Sequence, residues 1–357
     1  MTVTTPDAEH DDGPPRSDHA APPPAPARKV SLARVLGWIG KTLIWLGALI
    51  LLFVVYQLWG TGLEEARAQD SLEEELIEDL STDLGIEEGL ESIDELTEWL
   101  SGLAIETAPA TATQPLDSPM GIISIPRIGL EKVFVEGTGT EQLKKGPGHY
   151  VGTPLPGQAG NAGIAGHRTT YGAPFNRIDE LLPGDEITVW TGQGGFRYQV
   201  MPPQTAGAIE VGAGYWTVRP DQAEVLEDYG DNRITLTACH PKYSADQRIV
   251  VAAELVDTPA PAPTEEPADD DAGSGDEVVA EESAAETELD LDESLAGDSS
   301  ALVPTILWGL GLLTLGVIAW LVGRAWRRWP TYLIAAPFFL VVMFFWFQQI
   351  DRLLPAY

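Results

Sequence analysis

Three long apolar stretches interrupt this chain, and a region of short alternating runs lies between the first and the second. The apolar stretches occupy residues 34–60, 301–323 and 331–351. Each approaches the roughly 20 residues that an α-helix needs to cross the hydrocarbon core of a bilayer. The pattern therefore predicts three transmembrane helices. A re-entrant or interfacial segment is the alternative for the third stretch, because it contains Pro337.

Positive charges beside these stretches predict their orientation. Arg34 and Lys41 stand at the start of the first stretch, and three arginines lie in the basic loop 324–330. Loops rich in Lys and Arg stay in the cytoplasm. We therefore predict a multi-pass protein of the cell membrane, with a cytoplasmic N-terminus and an extracellular region between the first two helices. The first stretch ends in Tyr-Gln-Leu-Trp rather than in a small-residue cleavage site, which favours an uncleaved anchor.

Residues 119–256 carry short apolar and β-branched runs separated by Gly and Pro. The clearest runs are Ile122–Ile125, Gly163–Ala165, Ile187–Trp190, Phe196–Val200, Ile234–Ala238 and Ile249–Leu255. Many short strands with turn residues between them are typical of an all-β barrel or sandwich. The region is long enough to bury a substantial core of its own.

The linker at 61–118 combines acidic residues with an apolar stripe. Four leucines recur at every fourth position, which would place them on one helical face: Leu72, Leu76, Leu80 and Leu84. Ser-x-x-Glu capping boxes predict that short helices begin at Ser71 and at Ser92. This acidic helical linker is either a spacer whose stripe packs on the core or a lid over an active site.

The net charge of −33 is concentrated outside the β-rich region. Residues 257–298 contain no Lys or Arg, and a Pro-rich tail occupies residues 1–33. Segments of this composition bury too little apolar surface to fold. We predict a disordered cytoplasmic tail at 1–33 and a disordered acidic linker at 257–300. The chain lacks a basic face for phosphate groups, which argues against a nucleic-acid partner.

Cys239 is the single cysteine, so an intrachain disulfide and a multi-cysteine metal site are excluded. A lone cysteine is usually a buried structural residue. As an extracellular nucleophile it would need a histidine partner. His240 would face away from Cys239 on a strand, and His149 lies in a turn-like segment. By elimination His167, at the tip of a small apolar strand, is the better partner.

Arg248 follows Cys239 by nine positions, across a loop that contains Pro241. If that loop joins two adjacent strands, the guanidinium and the thiol lie at one rim of the β-domain. A guanidinium stays charged and donates in a fixed geometry, so it suits the stabilisation of an oxyanion. A solvated loop arginine is the alternative.

Three segments of the chain resemble the sortase family. Thr235–Cys239, which reads Thr-Leu-Thr-Ala-Cys, resembles the sortase signature Thr-Leu-x-Thr-Cys, and Arg248 matches its downstream arginine. Asn161–Leu182 resembles the segment around the catalytic histidine, and Ile123–Pro126 resembles the opening strand. Tyr-Gln-Leu-Trp-Gly-Thr-Gly at the end of the first apolar stretch, and Gly-Pro-Gly-His-Tyr-Val-Gly further on, resemble class E sortases of actinobacteria. The combination is far more specific than any one segment.

The resemblance implies an eight-stranded β-barrel and a cysteine transpeptidase. Cys239 would attack the carbonyl between Thr and Gly of a sorting signal, Leu-Ala-x-Thr-Gly or Leu-Pro-x-Thr-Gly, on a secreted protein. His167 would protonate the leaving amine, and Arg248 would hold the substrate and stabilise the oxyanion. A peptidoglycan precursor or another amine acceptor would then resolve the thioester.

The resemblance also indicates which residues contact the substrate. Tyr150, Thr237, Ala238 and Tyr171 are the expected contacts, with Tyr150 as the candidate for distinguishing Ala from Pro in the signal. An ordinary strand-end tyrosine is the equal alternative for Tyr150. No cofactor is implied, and the sequence offers no paired acidic site for a metal.

Two features depart from the family pattern. Ala238 stands where Thr usually precedes the cysteine, and the missing hydroxyl would weaken hydrogen bonding to substrate or oxyanion by about 1 kcal/mol. The two C-terminal spans keep open a pilin-polymerising sortase with a lysine acceptor, although the Asp-Pro-aromatic plug of such enzymes is absent from the sequence. A non-catalytic surface protein that binds sorting peptides is the third possibility.

Overall fold

A computed structural model describes residues 32–86, 89–103, 114–261 and 299–353. The chain divides into two compact units, Met1–Ile50 and Leu51–Tyr357. In the first unit the described residues form a single apolar helix. The β-rich region, its flanking helices and the C-terminal helices belong to the second unit. The predicted tail at 1–33 and linker at 257–300 lie almost wholly outside the described residues.

Helices flank the β-rich region on both sides. The described α-helices are α1 Leu32–Val55, α2 Thr61–Asp83, α3 Ile93–Ser101, α4 Thr140–Leu143, α5 Leu302–Ala325 and α6 Arg328–Leu353. A π-helix, Tyr56–Gly60, joins α1 to α2 without a break. Short 3-10 helices occupy Pro126–Ile128, Ile178–Glu180, Ala223–Leu226 and Ser299–Ala301.

Three helical segments are long and apolar enough to cross a membrane. They begin at Leu36, Leu302 and Arg328. The third, α6, continues through Pro337 as one helix of 26 residues. Neighbouring polar groups and local backbone adjustment allow proline inside a membrane helix. Length and composition therefore agree with the predicted number of spans.

Ten strands form the β-rich region: β1 Pro119–Ile125, β2 Leu130–Glu136, β3 Gly148–His149, β4 Asn161–Ala165, β5 Glu186–Thr191, β6 Gly194–Val200, β7 Glu210–Val211, β8 Trp216–Val218, β9 Arg233–His240 and β10 Gln247–Leu255. Eight of them close in the order β6-β5-β1-β2-β3-β4-β9-β10, because β10 also pairs with β6. The last residues of β10 pair with β6. On the same edge, the first residues of β10 pair with β8, which forms a hairpin with β7. The predicted eight-stranded barrel is confirmed.

Alternation along the long strands fills the barrel interior. Seven fully buried side chains illustrate this core: Ile123, Phe134, Ile164, Val189, Phe196, Leu236 and Val251. On β9 the interior positions are Ile234, Leu236 and Ala238. Since successive side chains of a strand point to opposite faces, Thr237 and Cys239 stand on the outer face of the barrel.

Two further apolar clusters cover parts of the outer wall. The first lies between α2, α3 and the strands β1 and β2: Leu72, Leu76, Leu96, Leu100, Ile122, Val133 and Val135. The second, called here the β9–β10 outer cluster, lies beside the outward positions of β9: Leu143, Tyr150, Ala165, Trp216, Val218, Val225, Leu226, Val250 and Ala252. The β9–β10 outer cluster adjoins the face of the barrel that carries Cys239.

Helix α2 is fastened to the barrel by polar as well as apolar contacts. The Gln69 Nε2 donates to Val133 O at 2.9 Å and to Lys145 O at 2.8 Å. Its Oε1 accepts from the Val133 N–H at 2.9 Å. Lys132 Nζ lies 2.9 Å from the buried Glu65 carboxylate. The leucine stripe thus packs on the barrel wall, as the spacer alternative requires.

The two predicted helix starts have different outcomes. The start at Ser71 is wrong, because Ser71 lies inside α2 and its hydroxyl donates to Arg67 O at 3.2 Å. Helix α2 continues directly from the π-helix, so it has no free N-terminus to cap. The start at Ser92 is confirmed: its Oγ accepts from the Glu95 N–H at 3.3 Å, and α3 begins at the next residue.

Helices α5 and α6 pack as an antiparallel hairpin. The Trp346 indole N–H donates to Thr305 O at 3.0 Å. The rings of Trp308 and Phe345 stack with centroids 5.2 Å apart. The end of α6 therefore lies beside the start of α5.

The end of α1 and the π-helix run beside the end of α6 in the same direction. Phe53 meets Phe347 edge-on, with ring centroids 5.2 Å apart. One turn further along both helices, Gln57 Nε2 donates to the Asp351 carboxylate at 2.5 Å. These two helices consequently end on the same side of the molecule, next to the barrel.

Candidate active site

The ends of three neighbouring strands bring the predicted catalytic residues to one rim of the barrel. Cys239 on β9 pairs directly with Arg248 on β10. Strand β4 runs parallel to β9 with Ala165 opposite Thr237, and the next N–H, of Gly166, donates to Thr237 O at 3.1 Å. His167 follows immediately. The sheet register thus gathers residues that lie up to 81 positions apart in sequence.

The Cys239 thiol is a free cysteine in a half-buried position. Burial raises the pKa of the Cys239 thiol above its ordinary value, and the positive charges of Arg248 and Arg168 oppose that rise. A thiolate is the nucleophilic form of cysteine. The two guanidinium groups therefore favour the reactive form against the cost of burial.

Arg248 is held in place by the loop that joins β9 to β10. Its side chain is buried, and Nη1 donates to Ala245 O at 3.0 Å and to Gln247 O at 3.2 Å. These bonds fix the direction of a planar donor group. The alternative of a solvated loop arginine is thereby wrong.

Arg168 is a second cation of this site that the sequence did not single out. The side chain is 1% exposed, and Nη1 donates to the backbone oxygen of Cys239 at 3.3 Å. Nε donates to Asn176 O at 3.0 Å, and Nη2 lies 2.9 Å from the Asp179 carboxylate. Arg168 therefore ties the nucleophile strand to the loop that follows His167. Its position directly after His167 was the available signal.

Tyr150 and Thr237 meet beside the nucleophile. The Tyr150 hydroxyl and Thr237 Oγ1 share a hydrogen bond of 2.8 Å. Burial raises the pKa of Tyr150 to about 12, so the phenol stays protonated at neutral pH. Its ring closes over Gly163, where an added Cβ would lie 2.8 Å from the ring. Tyr150 and Thr237 thus form one wall next to Cys239, and their contact with substrate stays a prediction.

Ala238 faces away from that wall. The side chain is 4% exposed and belongs to the barrel interior. A hydroxyl at this position would therefore point into the apolar core. The predicted substrate contact through Ala238 could be made by its backbone, because the side chain lies on the other face of β9.

His167 lies against Tyr171. The two ring centroids are 5.3 Å apart, with 32° between the planes. The Tyr171 side chain is buried, and its hydroxyl donates to Asp351 near the end of α6. Contact of Tyr171 with substrate stays a prediction.

The other two histidines of the β-rich region, His149 and His240, have structural surroundings. His149 is buried, with Nδ1 2.9 Å from Glu136 and Nε2 3.1 Å from Pro154 O. His240 Nε2 lies 3.5 Å from Glu210 on β7. Within the described ranges, no group of three or more His, Cys, Asp or Glu side chains is arranged to hold a metal ion. A cysteine, a histidine and an arginine at one barrel rim are the side-chain types that thiol-dependent acyl transfer requires.

Comparisons with known proteins identify the family. The family model of the sortase domain matches residues 123–256. Sortase SrtE1 of Streptomyces coelicolor is 31% identical over 250 residues, which cover 65% of this chain and 61% of that protein. Sortase SrtE2 of the same organism is 29% identical over 238 residues, which cover 63% of this chain and 84% of that protein. The structure of sortase E from Streptomyces avermitilis is 34% identical and covers 40% of this chain and 91% of that chain, with a TM-score of 0.34.

Residues 123–256 of this chain thus match a sortase domain, and the members of the sortase family are cysteine transpeptidases. The similarity to SrtE1 and SrtE2 agrees with the resemblance to class E noted in the sequence. The match to SrtE1 spans 61% of that protein's length.

Proposed function

We propose that this protein is a membrane-anchored transpeptidase that joins sorting-signal proteins to an amine acceptor. The observation that carries the proposal is the register of β4, β9 and β10, which gathers Cys239, Arg248 and His167 at one rim. The match of residues 123–256 to the sortase-domain model supports the same chemistry. Cys239, His167 and Arg248 are its proposed catalytic residues.

The first half-reaction forms a thioester. The Cys239 thiol gives its proton to His167, and its sulfur attacks the carbonyl carbon of the Thr in the signal. Arg248 donates hydrogen bonds to the oxyanion that develops on the carbonyl oxygen. The bond from that carbon to the Gly nitrogen breaks while His167 gives a proton to the departing amine.

The second half-reaction restores the thiol. An acceptor amine attacks the thioester carbon, and the carbon–sulfur bond breaks as the new amide forms. His167 accepts the proton that the amine releases, and the Cys239 sulfur is free for another cycle. A peptidoglycan-precursor amine fits this step, and a pilin lysine is the alternative acceptor.

The proposed sorting signal is Leu-Ala-x-Thr-Gly, with Leu-Pro-x-Thr-Gly as the alternative. Similarity to class E sortases supports the first form. Tyr150 is the candidate for reading the second position of the signal, because it stands beside Thr237 and Cys239 with its hydroxyl protonated.

The proposed location is the cell membrane, with the barrel outside the cell. Three helices of sufficient length and apolar character support anchoring. The parallel ends of α1 and α6 and the antiparallel α5–α6 hairpin agree with three successive crossings. The basic loop after α5 would then face the cytoplasm.

Transpeptidation by the full chain in lipid nanodiscs tests this function. The substrates are Ala- and Pro-containing signal peptides, with glycine and lysine amines as acceptors. Cys239→Ala should abolish product, and His167→Ala should lower the rate by about 10²–10⁴-fold, as expected for loss of a general acid. His240→Ala is the matched control, because His240 adjoins Cys239 but faces Glu210. It should keep the wild-type rate.

Each variant, peptide and acceptor tests one part of the proposal. Full activity of Cys239→Ala would exclude it as the nucleophile, and loss in His240→Ala alone would mean that a different histidine is the acid. A strong preference for the Pro-containing peptide would overturn the class E signal. Exclusive use of lysine would favour the pilin-polymerising alternative.

A further inference from the structure

The end of α6 reaches the loop that follows the catalytic histidine. The Tyr171 hydroxyl donates a hydrogen bond to one oxygen of the Asp351 carboxylate. The other oxygen accepts from Gln57 Nε2 at 2.5 Å. The Tyr171 backbone N–H donates to Thr61 Oγ1 at 3.2 Å. One tyrosine therefore joins the His167 loop to the ends of two membrane helices.

The backbone around Tyr171 has an uncommon conformation. Tyr171, Gly172 and Ala173 have φ angles of 49°, 69° and 46°. An aromatic residue in the left-handed region is strained, and it persists where its surroundings fix it. Helix α2 supplies part of that fixation, because a Cβ added to Gly172 would lie 2.5 Å from the Glu65 carboxylate.

The Tyr171 ring connects this anchored turn to the imidazole. It is 4% exposed and lies 5.3 Å from the His167 ring, centroid to centroid. The Lys144 ammonium lies 5.8 Å from the ring centroid. A flat, buried side chain in this position limits the rotation of the neighbouring imidazole. Displacing the ring would give the His167 imidazole room to rotate.

We propose that Tyr171 is a positioning residue for His167 and that Asp351, near the end of α6, holds Tyr171 in place. The inference rests on the proposed function, because it takes His167 as the general acid. The C-terminal hairpin thereby completes the active site as well as anchoring the chain. Loss of the hydroxyl–carboxylate bond should lower kcat and leave KM unchanged, since Tyr171→Phe and Asp351→Ala both keep the aromatic ring that is the predicted substrate contact and peptide binding does not depend on the imidazole.

Turnover by the full chain in nanodiscs tests the link with four single variants and one double variant. Tyr171→Phe and Asp351→Ala should each lower kcat about 10-fold, within the ~10² that a 1 Å misplacement costs. The double variant should lose no more than either single variant, because both remove the same bond. Asp351→Asn keeps an acceptor oxygen and should restore most of kcat. Gln348→Ala is the matched control, since Gln348 bonds Glu64 at 3.3 Å from the same end of α6.

Wild-type kcat in both Tyr171→Phe and Asp351→Ala would overturn the inference, as would an equal loss in Gln348→Ala. The rate of Cys239 alkylation against pH, measured without peptide, separates this inference from the proposed function. If the pH profile of alkylation shifts in Tyr171→Phe and Asp351→Ala but not in Gln348→Ala, the link between Asp351, Tyr171 and His167 is supported. That result stands even if the wild-type protein turns over no sorting peptide, an outcome that would refute the proposed function. An unchanged profile together with unchanged kcat refutes the link.

Discussion

At the residue scale, the alternation of β9 separates structural from chemical positions. Ala238 points into the barrel, whereas Thr237 and Cys239 point outward beside Tyr150 and Arg248. The departure from the family pattern at Ala238 therefore lies on the interior face of the strand. Its effect is expected in packing rather than in the binding of substrate.

Introducing the family's threonine tests this assignment. Ala238→Thr should lower the free energy of unfolding by about 1–3 kcal/mol, because it buries an extra hydroxyl in a packed apolar core. The rate of peptide turnover should stay near wild-type. Thermal unfolding and kinetics in detergent measure both quantities. Ala238→Val, which has the same shape without the hydroxyl, is the control; a stable Ala238→Thr with faster turnover would place the hydroxyl at the substrate.

The charges around Cys239 give a prediction with a definite sign. Burial disfavours the thiolate and raises the pKa of Cys239, whereas Arg248 favours the thiolate and lowers it. Arg248→Gln should therefore raise the pKa of Cys239 further. Alkylation below that pKa should slow by about tenfold for each unit of the rise. Iodoacetamide kinetics across pH measure the change, with exposed Arg197→Gln as the control; an unchanged or lowered pKa would contradict the prediction.

Sequence reasoning identified Cys239, His167 and Arg248 because each leaves a local signal. The first is the single cysteine, the second ends a small apolar strand, and the third follows at hairpin spacing. Arg168 leaves only its position next to His167 as a signal. Its partners Cys239 O, Asn176 O and Asp179 come from separate segments that meet only in the folded chain.

At the element scale, strands with strong apolar alternation were predictable and short ones were not. All six predicted runs lie within β1, β4, β5, β6, β9 and β10. The two-residue strands β3 and β7 carry no periodicity, since two residues cannot show one. The start of α2 was missed for a different reason: helix continuity from α1 removed the need for a cap at Ser71.

Because Gln69 attaches α2 to the barrel through hydrogen bonds, its substitution should strongly lower the stability of the protein. Gln69→Ala removes three hydrogen bonds, two of them fully buried, and leaves the Val133 N–H without its partner. We expect the free energy of unfolding to fall by about 1–3 kcal/mol, the cost of an unsatisfied buried group. Unfolding by urea in detergent measures it. Ser71→Ala is the control, because Ser71 lies two residues further along α2 and makes only an exposed hydrogen bond. It should change the free energy of unfolding by less than about 0.5 kcal/mol. Equal effects of the two substitutions would mean that α2 is loosely attached.

At the scale of the whole molecule, the described helices agree with a three-span arrangement. The ends of α1 and α6 lie together, and α5 returns antiparallel to α6. The number of candidate spans was readable from length and hydropathy alone. The contact of α6 with the catalytic loop was not, because Asp351 and Tyr171 are 180 positions apart.

The orientation of the spans can be tested on intact cells. In a Cys239→Ala background, Tyr243→Cys on the exposed β9–β10 loop should react with a membrane-impermeant maleimide. Trp326→Cys, between α5 and α6, should react only after lysis, because that loop is expected in the cytoplasm. A permeant maleimide should label both variants and serves as the control. The opposite pattern would invert the proposed topology.

The contact of the His167 loop with the ends of α1 and α6 also has a consequence for how the protein encounters its substrates. If α1 and α6 both cross the membrane as proposed, a barrel that contacts the ends of both should keep one height and one orientation above the lipid. If its substrates are still tethered to the same membrane, encounter becomes a search in a plane rather than in a volume. Confinement of this kind raises effective concentration without any new contact. Turnover of tethered substrates should then follow their density in the bilayer, and short peptides in solution should be poor competitors even with an identical signal.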